Sequence, residues 1–283
     1  MFTWTALLDV GRCTGRAPVM GIVNVTPDSF SDGGRYLDPG RAVDHAVRLA
    51  DAGAIVLDVG GESTRPGAEP VSAAVEIDRV VPVIRRLASR VEPPVAISVD
   101  TTKAEVAAAA LAAGATIVND VSAGRFDPPI LDVTARAGAG YVAMHMQGEP
   151  ATMQVDPRYA DVVAEVGACL TERVAAATAA GVAPGAVMVD PGIGFGKRLE
   201  HNLALLAALP ALAERVQAPV LVGTSRKSFI SAVLGGEGRA VREDGTLATV
   251  VWALDHGAAL VRVHDVAAAA AAAAVVAATE EAA

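Results

Sequence analysis

Gly21-Ile-Val-Asn-Val-Thr-Pro-Asp-Ser-Phe-Ser-Asp-Gly-Gly34 is the stretch from which the fold can be worked out. It starts inside an apolar run over residues 19–25 and breaks at Pro27 into small and polar residues that end in Asp32-Gly33-Gly34. Proline has no N–H to give to a sheet ladder, and paired glycines reach backbone angles that other residues avoid. The run is therefore a strand that delivers Asn24 at its C-terminal end. It hands over to a loop carrying Asp28, Phe30, Ser31 and Asp32. An amide and carboxylates where a buried strand ends suit a metal ion or a polar ligand better than a core.

The same grammar recurs down the chain. Short Val/Ile-rich runs at 19–25, 54–59, 95–99, 116–119, 141–145, 187–190, 219–223 and 259–264 have the look of strands. Alanine-rich runs of helical period lie between them, near 39–52, 72–90, 102–113, 128–138, 158–180, 200–209, 227–234 with 244–256, and 266–280. Ala52-Gly53-Ala54 and Ala113-Gly114-Ala115 are helix stops that feed a strand. Alternating strands and helices admit a closed barrel or an open doubly wound sheet. Eight units in about 265 residues favour the (β/α)8 TIM barrel. Residues 2–17 carry two short apolar stretches around Asp9-Val-Gly11 and predict a short N-terminal β-hairpin that plugs the barrel floor. No linker or low-complexity break divides the chain, so residues 1–283 are expected to form one domain.

Composition agrees with a parallel sheet covered by helices. The chain is 52% hydrophobic but only 4% aromatic, so its core must be built from Val, Ile, Leu and Ala. The formal charge of -9 disfavours nucleic acid, whose affinity comes from basic contacts with phosphate. It does not exclude a small anionic ligand held by a local basic site. Cys13 and Cys169 lie in no metal or redox spacing, as expected of reduced thiols in a cytoplasmic protein. Asp9 interrupts the only candidate signal peptide, and the alanine-rich run 266–278 is too short to span a bilayer, so no membrane partner is expected.

In an α/β barrel the chemistry sits at the C-terminal ends of the strands. The first ends at Asn24 and the second runs into Asp58-Val-Gly-Gly-Glu-Ser-Thr-Arg-Pro-Gly67. The third ends at Asp100, the fourth at Asn119-Asp120 and the fifth at His145. The sixth runs into Asp190-Pro-Gly-Ile-Gly-Phe-Gly-Lys197, the seventh into Ser225-Arg-Lys-Ser228, and the eighth ends in Arg262-Val-His-Asp265. Taken singly, each has a plainer explanation. Asp100 before Thr101 can be a helix cap, Asp190-Pro-Gly a turn, His145 a satisfied core histidine, and Asp58 a brace for its loop. The glycines of 192–196 are not the dinucleotide fingerprint. Helix capping does not, however, require a polar group at nearly every strand end. Eight ends meet at one mouth, so these groups share a site of mixed sign.

That division suits a ligand with two unlike ends. A carboxylate such as Asp190 can accept two parallel N–H bonds from a 2-aminopyrimidinone edge. Asn119 can donate and accept beside it, and Asp100 can take another ring N–H. An arginine can lie flat on a heteroaromatic ring and still offer its edge to phosphate. The loops after the last two strands, with Lys227 and Arg262, are the usual phosphate corner of this fold.

The chain resembles dihydropteroate synthases. The matching motifs run in family order from the first strand to the eighth. They are Asn24-Val-Thr-Pro-Asp-Ser-Phe-Ser-Asp-Gly-Gly34, the 58–67 motif, Ser98-Val-Asp-Thr101, Asn119-Asp120, His145-Met-Gln-Gly148, the 190–197 motif, Ser225-Arg-Lys227 and Arg262-Val-His-Asp265. The resemblance implies a transferase of folate biosynthesis. It would join 6-hydroxymethyl-7,8-dihydropterin diphosphate to 4-aminobenzoate, release diphosphate, be assisted by Mg2+ and be a target of sulfonamides. It implies that Asp100, Asn119, Asp190, Lys227 and Arg262 hold the pterin. Asn24, Thr64, Arg65, Arg262 and His264 would handle the diphosphate, with Asn24 at the metal. Phe30, Pro66, Phe195 and Ser228 would neighbour 4-aminobenzoate. The catalytic set is Asp32, Arg65, Lys227, Arg262 and His264, with Asp32 and Arg65 on two mobile loops. A homodimer through the last helices is also implied.

No strong base stands out among the strand ends, and none is needed if diphosphate leaves first. The electron-rich pterin then stabilises the methyl cation, and a neutral aromatic amine attacks it unaided. Two other classes share part of the pattern. A pterin-binding methyltransferase has no need of Ser225-Arg-Lys227. A diverged non-catalytic paralogue would be expected to lose loop residues, which are intact here.

Overall fold

Strand and helix alternate through the chain as the periodicity predicts. A computed structural model describes residues 1–26, 39–64, 67–236 and 238–282. The strands are β1 (Val19–Asn24), β2 (Val56–Gly60), β3 (Ala96–Asp100), β4 (Ile117–Asp120), β5 (Gly140–Met144), β6 (Val187–Asp190), β7 (Leu221–Val222) and β8 (Leu260–Val263). They form one parallel sheet in the order β6-β5-β4-β3-β2-β1-β8-β7. A parallel bridge between Val189 and Val220, with Val189 N donating to Pro219 O at 2.9 Å, joins the two ends into a closed barrel.

The helices are α1 (Trp4–Cys13), α2 (Pro39–Asp51), α3 (Ala73–Ala88), α4 (Ala104–Ala112), α5 (Pro129–Ala137), α6 (Val162–Ala179), α7 (Leu199–Ala207), α8 (Leu209–Val216), α9 (Ser228–Leu234), α10 (Arg239–Asp255) and α11 (Val266–Glu281). Local chemistry sets several of their ends. Ser72, Asp161 and Asp265 each accept the backbone N–H three residues on, at 3.0–3.3 Å, and start α3, α6 and α11. Gly53 and Gly114 follow α2 and α4 at φ +106° and +117°, a conformation that side chains resist. No helix among the described residues is long and apolar enough to cross a membrane.

Two cores result from the strand alternation. Outward residues such as Val23, Leu57, Val99, Val118, Val189 and Val261 pack against the helices. Inward residues Met20, Val56, Ala96, Ile117, Val142, Met188, Leu221 and Leu260 fill the barrel floor. Because successive side chains alternate, the residue two positions later faces inward one layer higher. That step leads from Val56 to Asp58, Ala96 to Ser98, Ile117 to Asn119, Met188 to Asp190, Leu221 to Gly223 and Leu260 to Arg262. The barrel is thus apolar below and polar above.

The N-terminal segment corrects one expectation: it plugs the floor, but as helix α1 and not as a β-hairpin. Trp4, Leu7, Leu8 and Gly11 fall at helical spacing, and Thr3 caps the start by accepting from Ala6 N at 3.3 Å. Trp4 is 1% exposed, packs among the floor residues and donates its indole N–H to Ala186 O at 2.9 Å. Gly11 lets the helix close on the barrel, since a Cβ there would sit 2.2 Å from Ile55 Cδ1. Helix α8, begun at Leu209-Pro210, is a further element beyond residue 209, where the alanine-rich helical run ends.

Candidate active site

The polar layer converges on Arg262. Its Nε donates to Asp58 Oδ2 at 2.6 Å and its Nη2 to Asp100 Oδ2 at 2.7 Å. Asn119 Nδ2 donates to the same Asp58 oxygen at 3.0 Å. Strands β8, β2, β3 and β4 are therefore linked across the barrel by one cation, two carboxylates and one amide. Gly60 pairs with Asp100 across β2 and β3, and its missing Cβ would lie 3.7 Å from Asp100 Oδ2. Burial works against the charge of Arg262, but the Asp58 and Asp100 carboxylates overcome it and raise its pKa. Burial raises the Asp100 carboxyl to about 7, against the opposing Arg262 and with help from the charges of Asp58 and Glu76.

Asp190 and Lys227 flank the same space from β6 and the turn after β7. A Cβ on Gly223 would lie 3.8 Å from Asp190 Oδ2, 3.9 Å from Lys227 Nζ and 3.8 Å from Arg262 Cβ. The three groups thus surround a gap that a side chain at 223 would enter. Asp190 Oδ1 accepts from Gly192 N at 2.7 Å, and burial raises its pKa while Lys227 opposes. Burial lowers Lys227 to about 8 against the pull of Asp190. Its ammonium donates to Ile193 O and lies 4.7 Å above the Phe195 ring.

The remaining predicted residues fall around this centre. His264 Nδ1 lies 2.9 Å from Ser225 Oγ, which also accepts from His264 N at 3.2 Å. Phe195 is half-buried, and Ser228 opens α9 at the surface. Asn24 ends β1, half-buried, on the same face as Met20 and Ile22. Thr64 lines a cavity of about 270 Å³ together with Asp100, Thr101, Glu62 and Lys103. Phe30, Asp32, Arg65 and Pro66 lie outside the described residues. Among the described residues no group of three or more His, Cys, Asp or Glu is placed to hold a metal ion.

Four features go beyond the sequence reading. Asp58 is not a loop brace but the shared acceptor of Arg262 and Asn119, fully buried. Its place two residues after the floor residue Val56 was the available signal. Lys197 is buried and bonds the carbonyls of Gly192 and Phe195 at 2.9 and 3.0 Å and His145 Nδ1 at 2.9 Å. Burial, then Lys197, lowers His145 to about 3, so its ring is neutral. This knot fixes the turn that presents Phe195. In that turn Gly192 has φ +67°, and a Cβ there would fall 1.9 Å from His145 O. Asp120, beside Asn119, faces the other way and accepts from Ser122 N, Ser122 Oγ, Gly124 N and Tyr141 Oη at 2.6–2.9 Å. The fourth feature is a carboxylate–ammonium cluster of Glu62, Lys103 and Glu76, which lines the same cavity as Thr64.

Comparison with known proteins finds relatives in sequence and in fold. The model of the pterin binding enzyme family matches residues 20–264. Dihydropteroate synthase of Mycobacterium leprae is 51% identical over 256 residues, covering 88% of this chain and 89% of the relative. The Xanthomonas albilineans dihydropteroate synthase with 4-aminobenzoic acid superposes with a TM-score of 0.87 at 49% identity, over 94% of this chain and 93% of that one. A structure of a synthase from the same organism with 7,8-dihydropteroate gives 0.83 at 46% identity, over 94% of each chain.

Proposed function

The chain belongs to the pterin-binding enzymes and among them to the dihydropteroate synthases, and from that premise we propose how its own residues carry the reaction. It joins 6-hydroxymethyl-7,8-dihydropterin diphosphate to 4-aminobenzoate and gives 7,8-dihydropteroate and diphosphate. The observation that carries the assignment of roles is the meeting of Arg262, Asp100 and Asn119 in one layer, with Asp190 and Lys227 beside them.

Asp190 and Asp100 accept N–H bonds from the pterin ring, and Asn119 satisfies the neighbouring edge. Lys227 donates to a ring acceptor, and the Arg262 guanidinium stacks on the ring. The bond from the pterin methylene carbon to the diphosphate oxygen breaks, and the electron pair leaves with diphosphate. The ring shares the positive charge of the resulting methyl cation. The neutral amine of 4-aminobenzoate attacks that carbon, forms the C–N bond and releases its extra proton to solvent. Arg262, His264 and Thr64 hold the departing charge, which is where electrostatic stabilisation acts. Asp32 and Arg65 complete the site around the leaving group. Phe195, Ser228, Phe30 and Pro66 bound the place of 4-aminobenzoate.

Magnesium fits as a partner of the substrate and not of a protein cage. Mg2+ binds through few protein oxygens together with phosphate oxygens and water. The Asn24 amide oxygen at the end of β1 is one such hard donor and would hold the ion against the diphosphate. When bound, the ion supplies positive charge to the leaving group.

Two copies of the chain pair through the last helices, α10 and α11, in this reading. Val251 and Trp252 on α10 and Val275 on α11 are 41–68% exposed, an apolar surface suited to a second copy. A monomer in sedimentation would exclude the pairing. The protein works in the cytoplasm, where the thiols of Cys13 and Cys169 stay reduced.

The test of the reaction is diphosphate release from the pterin diphosphate and Mg2+, with and without 4-aminobenzoate. Release that requires 4-aminobenzoate, with dihydropteroate formed, is the expected result. Tight pterin binding with no release would mean a binding protein.

A further inference from the structure

The segment between β2 and α3 carries Thr64 beside the mouth, and its two ends are fastened by side chains outside the pterin network. Glu62 Oε1 accepts from Val71 N at 3.3 Å, so one carboxylate joins the outgoing and returning ends. Glu62 Oε2 accepts from Lys103 Nζ, and the same ammonium donates to Glu76 Oε2 at 2.6 Å. Arg79 Nη1 secures the neighbouring Gly61 carbonyl at 2.7 Å. Lys103 occupies the N-cap position of α4 yet caps nothing with its side chain, which reaches instead to Glu62. Burial lowers the Lys103 pKa, but its two carboxylate partners overcome this and raise it.

The cluster is poorly designed for stability alone. Glu76 is fully buried, and a buried ion pair stabilises a fold little once desolvation is counted. Lys103 and Glu62 are 24% and 21% exposed, where screening weakens the pair further. Burial raises the Glu76 pKa against the Lys103 bond, so the charged form of this carboxyl is disfavoured where it sits. What the arrangement provides is direction. It fixes Glu62, and through it both ends of the segment, relative to α3 and α4.

We infer that Glu62 and Lys103, backed by Glu76, are positioning residues that hold the stem of this segment so that Thr64 faces the leaving diphosphate. The inference rests on the diphosphate role proposed above for Thr64. A misplacement of about 1 Å in such a group can cost about a hundredfold in rate.

The test compares K103M, K103R, E62Q and the E62Q/K103M double variant with the native chain. Four quantities are measured: kcat for dihydropteroate formation, Kd for the pterin diphosphate, melting temperature, and amide exchange over residues 63–71. K103M and E62Q should each lower kcat by about tenfold or more while Kd stays within about twofold. K103R should recover most of the loss, and the double variant should be no worse than K103M. Exchange over 63–71 should quicken in K103M and not in K103R. Unchanged kcat, or kcat, Kd and melting temperature falling together, overturns the inference. E62Q is nearly isosteric and partly exposed, so it decides the matter if K103M does not fold. If the native chain forms no dihydropteroate, the activity reading fails by itself. Amide exchange then decides alone, and unchanged exchange in both E62Q and K103M overturns the clasp.

Discussion

Arg262 on β8 reaches across the mouth to Asp100 on β3, its Nη2 donating to Asp100 Oδ2 at 2.7 Å. The group that stacks on the pterin in our proposal thus also donates to a carboxylate proposed to read the pterin. That bond uses one of the two carboxylate oxygens, and the charge state of the carboxyl decides whether a ring N–H finds an acceptor there as well.

Pterin affinity should therefore follow a bell-shaped pH profile. Burial holds Asp100 at about 7, and below that value it gains a proton and ceases to accept. Burial holds Lys227 at about 8, and above that value it loses the proton it donates. Affinity peaks between the two and falls on each side, by up to about tenfold per pH unit. Calorimetric titration of the free protein with pterin diphosphate over a range of pH measures this. D100N should remove the acid limb, and a flat profile in the native chain would sink the argument.

Replacing Asp58 tests the hub of the network. D58N leaves Arg262 and Asn119 without their shared carboxylate, a loss of charge-assisted bonds each worth about 1.5–3 kcal/mol. Pterin affinity should weaken about 10- to 100-fold. The Asp58 charge also raises Asp100, so the acid limb should move to lower pH in D58N. A merely structural role would leave that limb in place.

G223A should spare the fold and block the ligand. The added methyl meets its nearest neighbours at 3.8–3.9 Å, which is ordinary contact, and Gly223 is not among the glycines at positive φ. It would, however, stand in the gap between Asp190, Lys227 and Arg262. Overpacking of about 1–3 kcal/mol predicts a loss of pterin affinity from several-fold to about a hundredfold, with little change in melting temperature. An unaltered dissociation constant would mean the ring does not lie over this position.

W4A probes the opposite end of the barrel. Trp4 is 1% exposed and its indole N–H bonds Ala186 O, so its truncation should cost about 3–5 kcal/mol of stability in urea denaturation. The folded fraction should keep native pterin affinity, because the floor core separates α1 from the mouth.

Period two made the polar layer legible from the sequence. Met188 to Asp190 and Leu260 to Arg262 are single steps on an alternating strand, and the residues they deliver flank the same gap at Gly223. A carboxylate at a strand end also suits a loop brace, and only the register across β2, β3 and β4 brings Asp58 to Arg262 and Asn119. The Glu62–Lys103 bond joins residues 41 positions apart, on different strand–helix units, which no local spacing can reveal. Helix α1 was mistaken for a hairpin because Asp9-Val-Gly11 has turn composition, while its helical face, Trp4 to Gly11, shows its worth only against Ile55 and the floor.

The closure of the barrel between Val189 and Val220 makes it a hoop fastened by one narrow clip. β7 is only two residues long, and β6 is met by a single bridge at Val220 just before it, while other neighbouring strands share ladders of up to five pairs. Asp190 lies on one side of that clip and Lys227 follows on the other. A ligand gripped by both would rivet the hoop shut, so part of its binding energy appears as resistance of the whole barrel to opening. Amides at Val189 and Leu221 should register the pterin by slower exchange, although neither side chain faces it.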